Sequence, residues 1–599
     1  MIKLSDYVAE FIAAQGVRHV FMVVGGGAMH LNDSVGHQGA IEFVCTLHDQ
    51  ACAIAAEAYA KVTENLGVAL VTTGPGGTNA VTGVAGAWQD STPCLFISGQ
   101  VKRSDLIRGM GVRQNGVQEI DIVSIVRPIT KYAVTVMEPE TIRYHLEQAV
   151  YLARSGRPGP AWVDIPLDVQ AASIDVDALP GFAPEQPPSA VRSVGLPVLV
   201  GRTIELLNKA ERPIILIGNG VRLAKAREEV QELIAELKLP VLLTWPALDM
   251  LPDSHELVVG RPGPVAPRGA NFALQNSDWL LSIGARLDTV VTGYAHERFA
   301  PAAKKIMVDV DGAEIAKMKM PIDVPVCADA RDFVRELRRQ GGRVAPRDRS
   351  RWLARCGEWK RRYPVVLPEY RREKRVSTYV LADVLSDELT GDDVVVPGSS
   401  GTGIEVFLLA FRAKAGQRVF NTTALGAMGF GLPASIGGCL ASGRRRTVCV
   451  NGDGGLQLNV QELETVARLK LPIKLFVLNN QGYASIRASQ TRYFGRLTGA
   501  DAASGVTLPD IGRVASAYGL PAEKIVDQSD LRQRIREVLN APGPVVCDVW
   551  TPPDEPRCPS LVSKQWPDGS LVSTPLEDLW PFLDRDEFLA NMIVPVAKE

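Results

Sequence analysis

At 599 residues the chain is too long for a single hydrophobic core, and its length calls for roughly two to four domains. Hydrophobic residues make up 46% and charged residues 22%, an ordinary globular mixture, and a formal net charge of -2 without any basic block argues against nucleic acid as a partner. No apolar run reaches the length of a membrane span, the opening MIKLSDYVAEFIAAQG is an amphipathic pattern and not a signal peptide, and the nine cysteines lack CxxC spacing. The expectation is a cytoplasmic enzyme with reduced, buried thiols such as Cys45, Cys94 and Cys449, and no membrane partner.

In chain order, VRHVFMVVGGG (17–27) reads as a strand ending in glycines and DQACAIAAEAYAKVTE (49–64) as an Ala-rich helix. LGVALVTTGPGGTNAVTGVAGAWQD (66–90) gives strand, glycine turn and helix; TPCLFISGQ (92–100) and GPAWVDIPLDV (159–169) are further strands. Residues 170–195 lose periodicity and gain Pro, Ala and Asp, the composition of a linker. A second segment offers strands at 212–220, 239–245, 277–286 and 304–312, and the Arg- and Trp-rich stretch 342–375 reads as a second connection with some helix. The third opens with a helix near 377–388 and continues through DDVVVPG, TVCV (447–450), IKLFVL and GPVVCDVW (543–550). Apolar strands alternating with helices imply three consecutive α/β domains with mostly parallel sheets, at 1–175, 196–341 and 376–560, and a C-terminal tail at 561–599.

The chemistry gathers where two of these strands end. Asp453 lies in a Gly-Asp-Gly turn after the apolar run 447–450, at the carboxyl edge where ligands sit in open α/β sheets. The next helix and strand return the chain to the same edge at Asn479 and Asn480. A carboxylate, an amide oxygen and a nearby carbonyl form a hard oxygen site suited to Mg²⁺ and a diphosphate. A surface turn followed by an unrelated loop is the plainer alternative.

This pattern resembles the cofactor motif of the thiamine diphosphate enzymes, whose fold has pyrimidine-binding, middle and diphosphate-binding domains in that order. The resemblance implies thiamine diphosphate and Mg²⁺ as cofactors, with Asp453, Asn480 and the Gly482 carbonyl as metal ligands. ALGAMGFGLPASIG (424–437) is similar to the segment under the aminopyrimidine, which makes Gly426 a backbone acceptor and Met428 the bulky support of the bent cofactor. The same carry-over adds Gly25, Gly74, Asn79, Gly401, Thr402, Gly452, Gly454, Gly455 and Tyr483 as cofactor contacts. Within the family, 71–101 and 284–293 look like the acetohydroxyacid synthase group, and the likeness runs from near residue 5 to about 550.

One residue departs from the family. A Glu in a His-Glu-Gln context activates the cofactor at N1' of its pyrimidine; here His48-Asp49-Gln50 stands in its place. Asp49 carries the right group on a side chain one methylene shorter, so the backbone must approach or the contact is loose. His48 suits either an orienting role or a satisfied place at the edge, and Glu57 reads as a helix residue facing away.

Three further differences bear on the substrate. Ser489 stands near the place of a Trp in the branched-chain synthases, Thr402-Gly403 replaces a Gln-His pair, and the loop 109–121 containing Gln118, a candidate catalytic residue, is longer and more polar. These differences imply a wider, more polar acceptor site. Lys131 suits either an access channel or a solvated position. The loops at 260–271 and 284–293 resemble flavin contacts, which favours bound, non-redox FAD with Arg268, Gly284 and Arg286 as candidates to contact it; the alternative, an empty middle domain, is also compatible with the glycines.

The implied reaction is decarboxylation of a 2-keto acid donor such as pyruvate and transfer of the two-carbon unit to a second carbonyl compound. A simple 2-keto acid decarboxylase or lyase, and a regulatory homologue weakened at Asp49, are the alternatives; the absence of GxGxxG opposes a nicotinamide oxidoreductase. The family builds its site between subunits, which implies a homodimer or homotetramer.

Overall fold

The computed structural model describes residues 1–184, 195–398, 401–565 and 571–596. Its first six-stranded sheet comprises His19–Met22 (β1), Glu42–Cys45 (β2), Gly67–Val71 (β3), Cys94–Gln100 (β4), Tyr132–Thr135 (β5) and Pro160–Pro166 (β6). The strand order is β2-β1-β3-β4-β6-β5, with all neighbours parallel. A second comprises Pro213–Ile217 (β7), Val241–Leu243 (β8), Val258–Gly260 (β9), Trp279–Ile283 (β10), Lys304–Asp309 (β11) and Val324–Cys327 (β12). Its order is β9-β8-β7-β10-β11-β12, again parallel throughout. The third comprises Val394–Pro397 (β13), Arg418–Val419 (β14), Thr447–Gly452 (β15), Ile473–Asn479 (β16), Ala522–Ile525 (β17) and Val545–Trp550 (β18). The order β14-β13-β15-β16-β18-β17 repeats the topology of the first sheet.

Parallel strands need crossover connections, and helices on both faces bury them. The central strands obey this: Pro213–Ile217, Trp279–Ile283 and Cys94–Gln100 are buried at every position. Two of the outer strands are different, with Glu42 and Phe43 and the run Ala522–Lys524 exposed.

The Ala-rich composition of Asp49–Thr63 (α1) has a packing cause. The helix lies between Pro75–Gln89 (α2) and Gly431–Ala441 (α3), the latter from the third domain. A Cβ on Gly437 would fall 2.1 Å from the Ala55 carbonyl oxygen, and one on Gly83 2.4 Å from the Ala53 Cβ. Only small residues allow three backbones this close, and the outcome is one apolar core that runs through Cys52, Ala56, Ile436 and Cys439 of both domains.

Two connections turn out to be built structure. The start of the expected linker is packed, with Ser173–Ile174 paired antiparallel to Ile2–Lys3 and Leu179 buried; positions 185–194 of that linker lie outside the described residues. Within 342–375, the helix Ser350–Arg362 inserts Trp352, Cys356 and Trp359 into the core of the middle domain. The tail packs over that domain as well. Asn271 Nδ2 donates to the Leu576 carbonyl at 2.7 Å, Gln275 Nε2 to Glu577 at 2.7 Å, and the Ile593 N–H donates to Asn276 Oδ1 at 2.6 Å.

Candidate functional site

On the first domain the candidate residues converge at the carboxyl edge of β1 and β3. Asp49 begins α1, with His48 as its N-cap: His48 Nδ1 accepts the Gln50 N–H at 3.0 Å, so this histidine caps the helix that carries the carboxylate. Asp49 is 7% exposed; its Oδ2 accepts from Asn79 Nδ2 at 3.2 Å, while Oδ1 is buried without a protein partner. Burial raises the Asp49 carboxyl above the ordinary range, against the Asn79 bond. The free oxygen lies 3.5 Å from where Gly76 would carry a Cβ. Gly25 presses on Thr72, and Gly74 (φ +65) presses on the carbonyl of Gln118, where a side chain would meet that oxygen at 2.3 Å. Gly25, Gly74, Asn79, Asp49 and the Gln118 backbone therefore form one group. Thr72, whose buried Oγ1 has no partner, belongs to the same group and carries no sequence signal beyond its place beside the glycine turn.

The second group lies at the carboxyl edge of β15 and β16. Asp453 is 2% exposed; Oδ1 accepts the Gly454 N–H at 2.8 Å and Oδ2 the Gly482 N–H at 3.2 Å. Burial nevertheless pushes its carboxyl up to about 6. Gly482 (φ +146) must be glycine, since a Cβ would meet the Ala500 carbonyl at 2.2 Å. The Tyr483 ring sits on Gly454, where a Cβ would lie 2.3 Å away, while beside Gly452 the space is open. The Thr402 N–H donates to Ser485 Oγ at 2.8 Å, and Gly401 (φ +124) borders the same hydroxyl. Gly426 (φ +63) donates its N–H to the Thr422 carbonyl at 2.9 Å, and Met428 is 36% exposed nearby in sequence. Gly455 is buried in the turn after Asp453.

The donor set fits a hard cation. A carboxylate, the Asn480 amide oxygen and the Gly482 carbonyl are oxygen ligands of the kind Mg²⁺ takes, and the open side of Gly452 leaves room for a phosphate. Arg487, not anticipated from the sequence, stands behind this donor set: Nη2 donates to the Asn480 carbonyl at 2.8 Å and to Asn480 Oδ1 at 3.0 Å.

Several expectations need correction. Arg268 is not beside the middle-domain cleft; its guanidinium donates to the Leu579 carbonyl at 2.8 Å and to the Pro581 carbonyl, and it anchors the tail. Lys131 is neither in a channel nor solvated, since Nζ donates to the Ser155 and Arg157 carbonyls at 2.6 and 2.7 Å. Glu57, by contrast, is a buried helix residue as expected, its Oε1 paired with Lys61 at 2.7 Å. Gly284 and Arg286 do line a cleft between the domains, together with Asn219, Gly220, Asp309 and Asp329.

Three family models match the chain in succession: the N-terminal TPP-binding domain of thiamine pyrophosphate enzymes at 2–125, the central domain at 200–337 and the C-terminal TPP-binding domain at 402–549. Three parallel sheets in this succession, the first and third with glycine turns at their carboxyl edges, are thus the frame of a thiamine diphosphate enzyme. Among its relatives, the probable acetolactate synthase large subunit of Methanocaldococcus jannaschii is 30% identical over 568 residues, covering 92% of this chain and 93% of that one. Acetolactate synthase 2, chloroplastic, of Nicotiana tabacum is 33% identical over 577 residues (94% and 84%), and isozyme 1 large subunit of Escherichia coli 31% over 545 (91% and 93%). The chain belongs to the acetolactate synthase-like family of thiamine diphosphate enzymes.

Proposed function

We propose that this enzyme is a Mg²⁺-dependent carboligase that decarboxylates a 2-keto acid, with pyruvate the first candidate, and joins the two-carbon unit to a second carbonyl compound. The observation that carries this reading is Asp49: a buried carboxylate with one oxygen held by Asn79 and the other free. Thiamine diphosphate, when bound, supplies the carbanion chemistry. Asp453, Asn480 and the Gly482 carbonyl would hold its Mg²⁺, Met428 and Gly426 would support its pyrimidine, and the loops at Gly401-Thr402 and Gly452–Gly455 would take its phosphates. The chain's own contribution to catalysis is a proton held at Asp49 Oδ1, in a pocket whose burial favours the protonated form. In this assignment residues 1–175 serve the pyrimidine, 376–560 the diphosphate and metal, and 196–341 the middle domain.

The reading extends to FAD in the middle-domain cleft. Support comes from the strand order, which reverses between β7 and β10, and from the loops Gly218–Gly220 and Gly284–Arg286 at that switch point. Ser489, exposed on Ala484–Phe494 (α5), and the polar loop 109–121 favour a hydroxylated acceptor.

The test is CO₂ release from pyruvate, alone and with added hydroxyaldehyde or keto-sugar acceptors, by the purified chain with Mg²⁺ and thiamine diphosphate, with products identified. A ligated hydroxyketone product supports the carboligase. Free aldehyde as the sole product makes the enzyme a decarboxylase, and no CO₂ from the wild type alongside an active Asp49→Glu variant marks a homologue weakened at that residue.

A further inference from the structure

The turn that carries Asp49 is held from another domain of the same chain. Glu462, fully buried at the start of Glu462–Arg468 (α4), accepts the Leu47 N–H through Oε1 at 2.9 Å, and its Oε2 accepts from Thr465 Oγ1 at 2.7 Å. Arg468 Nη2 donates to the Cys45 carbonyl at 2.7 Å. Asn459, also fully buried, donates through Nδ2 to Gln50 Oε1 at 3.0 Å and to the Gly429 carbonyl at 2.8 Å. The bonds from Glu462, Asn459 and Arg468 fall on residues 45–50, on both sides of Asp49, and Asn459 ties the same turn to the glycine that follows Met428. Within the first domain, Asn79 Nδ2 donates to the carboxylate itself at 3.2 Å.

This arrangement answers the difficulty of a short side chain. An aspartate can reach its target only if its backbone is set closer, and a misplacement of about 1 Å can cost on the order of a hundredfold in rate. A buried carboxylate receiving an amide N–H is a firm anchor for backbone height. We propose that Glu462 and Asn459 are positioning residues for Asp49: they set where its carboxylate stands and make that placement depend on the seating of the Gly426–Gly429 segment. The inference rests on the reading of Asp49 as the group that activates the cofactor.

The test uses the full-length protein with Mg²⁺ and thiamine diphosphate and needs no substrate. Cofactor affinity is measured by isothermal titration, and activation by deuterium exchange at the thiazolium C2 of the bound cofactor, read by NMR after acid quench. Glu462→Ala is expected to slow exchange by at least about tenfold while affinity stays within about threefold. Glu462→Gln, which keeps an acceptor oxygen, restores most of the rate, and Asn459→Ala behaves like Glu462→Ala. In an Asp49→Ala background, Glu462→Ala adds nothing. Unchanged exchange, a matched loss of affinity and exchange, or an equal loss in the Asp49→Ala background would each overturn the positioning role. If Glu462→Ala does not fold, Asn459→Ala carries the same comparison. Exchange at the wild-type rate in Asp49→Ala alone would instead overturn the assignment of Asp49, a result distinct from a failure of the clamp.

Discussion

Asp49 shows how little of a side chain's chemistry is set by its type. Its carboxyl is raised by burial, steadied by Asn79 and left with one oxygen facing the gap beside Gly76. Replacing it with Ala is expected to lower CO₂ release from pyruvate by about a hundredfold or more, the scale of a lost acid–base group. A steady-state assay at saturating cofactor checks this. Asp164 is another buried carboxylate, linked through Gln100 to Thr73 beside the glycine turn. It accepts from Ser98 Oγ at 2.6 Å, Gln100 Nε2 at 3.2 Å and Thr135 Oγ1 at 3.1 Å, yet burial pushes it up to about 7. The folded state keeps a proton that the unfolded chain has released, so its stabilising effect is complete below the unfolded value near 3.8 and is lost as pH rises through about 7. Melting temperature should therefore carry a falling component between those limits, and Asp164→Asn should flatten it.

At the scale of elements, α1 joins the two domains that bear the candidate site. It presents Ala51, Ala53, Ala55, Ala56, Ala58 and Ala60 to its neighbours, and Gly437 on α3 meets the Ala55 carbonyl without room for a methyl group. Gly437→Leu is expected to destabilise the protein by about 1–3 kcal/mol through overpacking, measurable as a lower urea midpoint. A comparable substitution at Gly443, which meets nothing, is a control for a solvent-side position, although its own φ of +73 adds backbone strain. The elements also show which strands a sequence reveals. All four inner strands of each sheet stand out as apolar runs, because both faces are buried. The strands that did not stand out, β2, β5, β9, β12, β14 and β17, are the outer strands of the three sheets. They are short, and β2, β5 and β17 are largely exposed or half-buried, so no continuous apolar run marks them.

At the scale of the molecule, Asp249 joins three domains. Its buried carboxylate accepts from Arg222 Nη2 at 2.6 Å, Arg418 Nη1 at 2.7 Å and the Val419 N–H at 2.9 Å, and Arg222 Nη1 reaches Glu64 at 2.9 Å. The guanidinium charges hold the Asp249 carboxyl below its usual range against the effect of burial. Removing it takes the buried counter-charge from Arg418 and leaves Arg222 with Glu64 alone, and Asp249→Ala is expected to cost about 3–5 kcal/mol, seen as a lower or split thermal transition. The chain also exposes Val24, Met29, Leu425, Met428 and Leu458, all on segments of the candidate site or next to it. A second copy covering them would give the expected homodimer or homotetramer, and light scattering after gel filtration reports the mass directly.

The sequence by itself determined the sheet class and the succession of three α/β segments, because buried parallel strands are local patterns, while the domain roles and most candidate site residues came through its likeness to thiamine diphosphate enzymes. Asp453 and Asn480 follow neighbouring strands, so their meeting at one sheet edge was legible, whereas the bond from Asn79 to Asp49 was not. Tertiary structure alone decided the rest. Glu462 and Asn459 act on residues more than 400 positions away, Arg268 is committed to the tail, and Lys131 to two carbonyls. A long polar side chain looks the same in sequence whether it meets solvent, ligand or a distant backbone. Only the fold brings it to its partner.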